Sequence, residues 1–183
     1  MRERTAAIEV SADRRVVDES ARIALFAPAA HAHTSSSTIE LLTLGPDDST
    51  FGRFGHAALC VFAPGALDGE CFNYGAAHAR AGLARDVLLG RAHFFVKPEP
   101  YSFVIEYYRG EGRRIRAQTL SMSTEEVTRV VTLLAHDAAP ESSEYLYDPL
   151  RNNCSTRLRD VLDAASVGRL RRATLGVKAH TTT

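Results

Sequence analysis

The strand-like segments of this chain come first, and its two clearest helices come last. That order points to an α+β domain, a small antiparallel sheet packed on helices. Residues 39–44 read as a short apolar strand, closed by the turn sequence Gly45-Pro46-Asp47-Asp48. Residues 55–62 form a second strand rich in apolar side chains, and residues 71–74 a third. The loop between them, from Pro64-Gly65 to Gly69, makes the pair a hairpin with a long connection. Residues 83–90 suit a short helix. Residues 92–96 suit a strand that Pro98 and Pro100 stop. Residues 101–108 fit helix and strand alike, and residues 115–120 alternate as a strand.

The late helices are better defined. Ser123 opens a capping box with Glu126, and Val127, Val130, Val131 and Leu134 follow as a buried stripe. After a loop at 138–143, residues 145–148 lead into a helix that begins near Cys154. Asn152 or Asn153 is suited to cap it, because an Asn side chain accepts from the first free backbone N–H groups. Leu158, Val161, Leu162 and Ala165 recur at helical spacing, with Cys154 on the same face.

At 183 residues the chain holds one domain with room for a core. Lys plus Arg and Asp plus Glu both number 22, so no global field draws the chain to nucleic acid or an anionic membrane. Lysine stands only at positions 97 and 178; the basic charge is nearly all Arg, which reads as coding bias and gives Arg clusters little weight as anion sites. No apolar run is long enough to span a bilayer. Residues 1–37 read as a leader. Within it, residues 21–32 form a short apolar stretch ending in Ala30-His31-Ala32, the pattern of a secretory cleavage site; the alternative is a disordered leader. His31 and His33 there lack the Cys or acidic neighbours of a metal site. The domain proper is expected at 38–170 and a disordered tail at 171–183, although Arg169, Arg171 and Arg172 also suit a solvated helix end.

Chemistry converges on Cys154. A thiol in the first helical turn feels the positive end of the helix dipole, which favours the nucleophilic thiolate. The bland alternative is a small buried hydrophobe. Cysteine catalysis needs a base, and His56, at a strand start beside Gly55, is the natural partner. If Cys60 lies opposite Cys71 in the hairpin, Ala58 faces Asn73 and His56 lies diagonal to Asn73 on one face. Asn73 then suits the role of orienting the imidazole; its alternative is a turn residue before Gly75. The same register allows a Cys60–Cys71 disulfide, with two buried free thiols as the alternative. The Cys154 backbone N–H is a candidate oxyanion donor, with a second expected from Asn153, Asn152 or the Gly52–Gly55 loop.

Other clusters carry less. Tyr107, Tyr108, Arg109, Arg113 and Arg114 suit either a pocket for an anionic head group or a strand pair with a solvated Arg face. Arg157 and Asp160, three apart, are placed to pair with each other. His78, His93 and His136 have no partner at ligand spacing, and no phosphate loop, zinc spacing or paired-carboxylate motif stands out. No cofactor and no metal are therefore expected.

The ordered segments FGRFGHAAL, CFNYG, RRIRAQTLSMSTEEV and YLYDPLRNNCSTRLRDVL resemble the Lnb N-terminal periplasmic domain family, over residues 39–162. Its named member is a bacterial lipoprotein N-acyltransferase. The resemblance implies a circularly permuted papain-like (NlpC-type) fold in which the His strand precedes the Cys helix. It carries over His56 and Cys154 as the catalytic pair and Asn73, in NYG, as a motif position. It also implies a periplasmic or cell-envelope location. The expected function is acyl transfer through a thioester on Cys154. The partners would be a lipid acyl donor and a lipoprotein or peptide, with peripheral membrane contact. The alternatives are a cysteine peptidase or amidase acting on cell-wall peptide or another amide, and an inactive binding module with the same fold.

Overall fold

The computed structural model describes residues 14–16, 37–49 and 52–177. The expected signal segment, His31, His33 and the last six residues of the expected tail lie outside the described residues. Strands β1 (Arg14–Val16), β2 (Thr38–Leu44), β3 (His56–Phe62) and β4 (Glu70–Ala76) precede helix α1 (Leu83–Leu88). Then follow β5 (His93–Pro100), α2 (Tyr101–Gly110), β6 (Ile115–Thr119), α3 (Thr124–Ala138), β7 (Glu144–Leu146), α4 (Cys154–Ala165) and α5 (Arg169–Thr174). The class is α+β. Six strands form an antiparallel sheet in the order β6-β2-β3-β4-β5-β7, and the short β1, inside the expected leader, lies outside β6.

Both faces of the sheet are covered, and the parity of the strands decides which residue meets which layer. Leu59, Phe72, Tyr74, Phe94 and Val96 pack with Val127, Val130 and Leu134 of α3 and Leu158, Val161, Leu162 and Ala165 of α4. The alternate residues Leu42, Leu44, Ala58, Cys60 and Cys71 pack with Ile115 and with Val104 of α2. This sandwiching explains why residues 55–62 read as a continuous apolar run and not as an alternation. The ambiguous segment 101–108 is helical for the same reason. Tyr101, Val104, Ile105 and Tyr108 all contribute to the second cluster, and their spacing puts them on one side of a helix.

β5 does not stop before the prolines; it runs through Pro98 to Pro100. The Val96 N–H donates to the Ser143 carbonyl, on the side away from β4. Pro98 and Pro100 sit two and four residues further along, so their missing N–H groups also face away from β4. β7 pairs only with 93–95, and no ladder bond is lost. After Leu170 the helix-end alternative for Arg169, Arg171 and Arg172 is the one that forms. α5 continues to Thr174, held by an Arg171 N–H bond and an Arg171 ion pair to Asp163 and by an Arg169–Glu126 ion pair.

Cys60 and Cys71 stand opposite each other in the β3–β4 ladder and are joined by a disulfide; both are fully buried. The loop it closes spans a separation of 11 residues, for which chain entropy gives about 2–3 kcal/mol. Replacing both cysteines by serine should lower unfolding stability by that order, measured by urea denaturation. A thiol assay on the unreduced, denatured protein should find one free thiol, at Cys154.

Candidate active site

The segment before β3 is built to aim His56. A 3-10 turn, Gly52–Phe54, ends at Gly55, whose φ is +73°. A Cβ at Gly55 would sit 2.8 Å from the Leu44 carbonyl oxygen, so both the left-handed backbone and the close approach require glycine. His56 then opens β3, paired with Leu44. Gly55→Ala should cost about 1–3 kcal/mol in thermal or urea unfolding. Because the strain falls next to His56, it should also slow labelling of Cys154.

Asn73 lies where the hairpin register puts it. The pairing of Cys60 with Cys71 and of Leu59 with Phe72 carries Asn73 onto the face of His56. His56 Nε2 is 3.3 Å from Asn73 Oδ1, and Asn73 is almost wholly buried. Past Asn73 the β4–β5 register slips between Tyr74 and Ala76, a bulge at Gly75 on the cleft wall.

Cys154 arrives from the opposite layer as the first residue of α4. Asn153 caps that helix: its Oδ1 accepts from the Thr156 N–H at 3.0 Å, while Thr156 Oγ1 accepts from the Asn153 N–H at 2.8 Å. The Cys154 thiol is half-buried. Burial alone raises its pKa, but a hydrogen bond and charge interaction with His56, the Ala57 backbone N–H and the Ser155 hydroxyl outweigh it and bring the pKa to about 7. Nε2 is the His56 nitrogen turned to Asn73.

Three of the expected support groups are spent elsewhere. Asn153 Nδ2 donates to the Pro149 carbonyl and Asn152 Nδ2 to the Leu146 carbonyl, bracing the loop before α4. The Gly55 N–H donates to the Gly52 carbonyl. Of the donors expected from the sequence, the Cys154 N–H remains, at a helix position that no carbonyl of the helix reaches.

The cleft around these groups has a volume of about 500 Å³. Phe94, Phe95, Phe103, Tyr107 and Tyr147 give it apolar walls, and Lys97 and Glu99 a polar side. The Tyr108 ring stacks on His56 with centroids 6.2 Å apart, and the Arg113 guanidinium lies 4.7 Å from the Tyr108 centroid. Burial pushes the Tyr108 phenol up to about 12, against the pull of Arg113, so it stays protonated.

Two of the Arg113 nitrogens are engaged within the fold, and Nη2 is buried without a partner. The side chain donates to the Gly45 carbonyl at 2.7 Å and pairs with Asp47 at 2.9 Å, while Arg109 and Arg114 are exposed. The expected Arg157–Asp160 pair does not form either. Asp160 takes Arg159, and the Arg157 guanidinium covers the Tyr145 ring at 4.3 Å. His93 pairs with Glu144, His136 with Asp137, and His78 packs on Phe95. Among the described residues no group of His, Cys, Asp and Glu is arranged to hold a metal.

Sequence reasoning missed Glu99 and Lys97. Glu99 Oε2 accepts from Asn73 Nδ2 at 3.1 Å, and Glu99 Oε1 pairs with Lys97 Nζ at 2.7 Å. The signal was the alternation of Lys97 and Glu99, hidden because the two prolines were read as the end of the strand.

A family model of the Lnb N-terminal periplasmic domain matches residues 27–182. The chain belongs to this family. An Lnb N-terminal domain is periplasmic by description, which places the chain at the cell envelope. Among the described residues no helix is long and apolar enough to cross a membrane. Searches of curated proteins and of solved structures found no match.

Proposed function

We propose that this domain is a cell-envelope cysteine acyltransferase that works through a thioester on Cys154, in a circularly permuted papain-like arrangement. The observation that carries the reading is a half-buried helix-start thiol, its pKa lowered to about 7 by a histidine that Asn73 orients. His56 Nδ1 takes the thiol proton and the sulfur attacks the acyl carbonyl of the donor. The tetrahedral oxyanion accepts from the Cys154 N–H. On collapse the donor's oxygen leaves with the proton from His56, and the acyl group stays on sulfur. An acceptor amine then attacks the thioester, its proton passes to His56, and the sulfur leaves as the thiolate.

A lipid donor is favoured by the aromatic walls of the cleft, which suit a fatty chain better than a polar peptide. The test supplies vesicles of a diacyl phospholipid and a peptide with a free N-terminus. The peptide mass should rise by one fatty acyl group. Release of free fatty acid alone, or cleavage of peptide substrates, would assign a hydrolase instead; no change in any substrate would favour a binding module.

A further inference from the structure

An asparagine beside a histidine can present its oxygen or its nitrogen, and the two choices give opposite tautomers. Asn73 is held to one of them. Its Nδ2 donates to Glu99 Oε2 at 3.1 Å while its Oδ1 faces His56 Nε2 at 3.3 Å. A carboxylate only accepts hydrogen bonds. Turning the amide over would set Asn73 Oδ1 against the Glu99 oxygens and lose that hydrogen bond. Glu99 is itself fixed from two directions. Its second oxygen is held by Lys97 at 2.7 Å. Its backbone lies between Pro98 and Pro100 on β5, where the prolines restrict φ on either side. The β4–β5 register, Cys71 with Glu99 and Asn73 with Lys97, keeps all three side chains on the face of His56.

We propose that Glu99 is a positioning residue that sets the tautomer of His56 through Asn73. This rests on the acyl-transfer reading of Cys154 and His56. With Asn73 Oδ1 as the fixed acceptor, His56 Nε2 carries the hydrogen and Nδ1 is left as the basic nitrogen for the thiol proton.

The test compares Glu99→Ala, Glu99→Gln and His56→Ala in the full chain. Two quantities are read: the rate of Cys154 alkylation by iodoacetamide against pH, and the ¹⁵N spectrum of the His56 ring. The unaltered protein should show the Nε2–H form when His56 is neutral. Glu99→Ala should slow alkylation at pH 7 by about tenfold, the low end of what an orienting partner contributes. It should also raise the pH midpoint and introduce the Nδ1–H form. Glu99→Gln can still accept from Asn73 Nδ2 through its amide oxygen, so it should restore the tautomer and most of the rate. If Glu99→Ala keeps rate, midpoint and tautomer while His56→Ala slows labelling, the role of Glu99 is overturned and the acyl-transfer reading stands. If His56→Ala has no effect, the reading beneath it fails as well. Glu99→Ser, also too short to reach Asn73, is read in the same way should the alanine variant not fold. An Nδ1–H form in the unaltered protein overturns the proposal by itself.

Discussion

Replacing His56 by alanine is expected to slow alkylation of Cys154 at pH 7 by about 50-fold or more. The thiol pKa of about 7 depends on His56, since burial acts in the other direction. At pH 7 about half of the native thiol is thiolate; at the ordinary value of 9.0 about one per cent would be. In the native protein the rate should climb with pH through about 7 and then level off, and in the variant the climb should move to higher pH. The measurement is a pH series of alkylation rates on both proteins. A variant that reacts as fast as the native protein at pH 7 would show that the histidine does not activate the thiol.

Tyr74 should be the most sensitive position in the core. Its side chain is fully buried between β4 and α3, and its hydroxyl donates to Asp137 Oδ2 at 2.7 Å. Tyr74→Ala leaves a large cavity and should cost about 3–5 kcal/mol. That is a large share of the 5–15 kcal/mol by which a typical domain is stable. Tyr74→Phe keeps the ring and removes the donor to Asp137 Oδ2, at about 1–3 kcal/mol. Urea denaturation of the two variants separates the packing contribution from the hydrogen bond. Tyr74 adjoins Asn73, so the alanine variant should lose thiol reactivity as well, while the phenylalanine variant should keep it.

The His56, Asn73 and Cys154 constellation was legible because two local rules reached it. Strand parity from the Cys60–Cys71 pairing put Asn73 on the His56 face, and the capping pattern of Asn153 put Cys154 in the first turn of α4. Glu99 was not legible by the same means. The β4–β5 register carries a bulge at Gly75, so partners across it cannot be counted off from the sequence. Pro98 and Pro100 are tolerated because their side of β5 lies beyond the reach of β7, a fact of tertiary placement. α2 was ambiguous because both periods fit an eight-residue apolar segment; packing of Val104 and its neighbours on the sheet decides for the helix. For Asn152, Asn153 and Gly55 the positions beside Cys154 and His56 were legible but their hydrogen bonds were not, since those depend on the folded loops that the donors brace.

The central claim is that Cys154 carries the acyl group. The most direct measurement is the intact mass of the protein after brief exposure to diacyl phospholipid vesicles without an acceptor amine, followed by peptide mapping. The account predicts a gain of one fatty acyl chain, mapped to Cys154, removed by neutral hydroxylamine and absent in Cys154→Ala. An acyl group found elsewhere on the chain, or an unmodified Cys154 under conditions in which the protein transfers acyl chains to an amine, would contradict it.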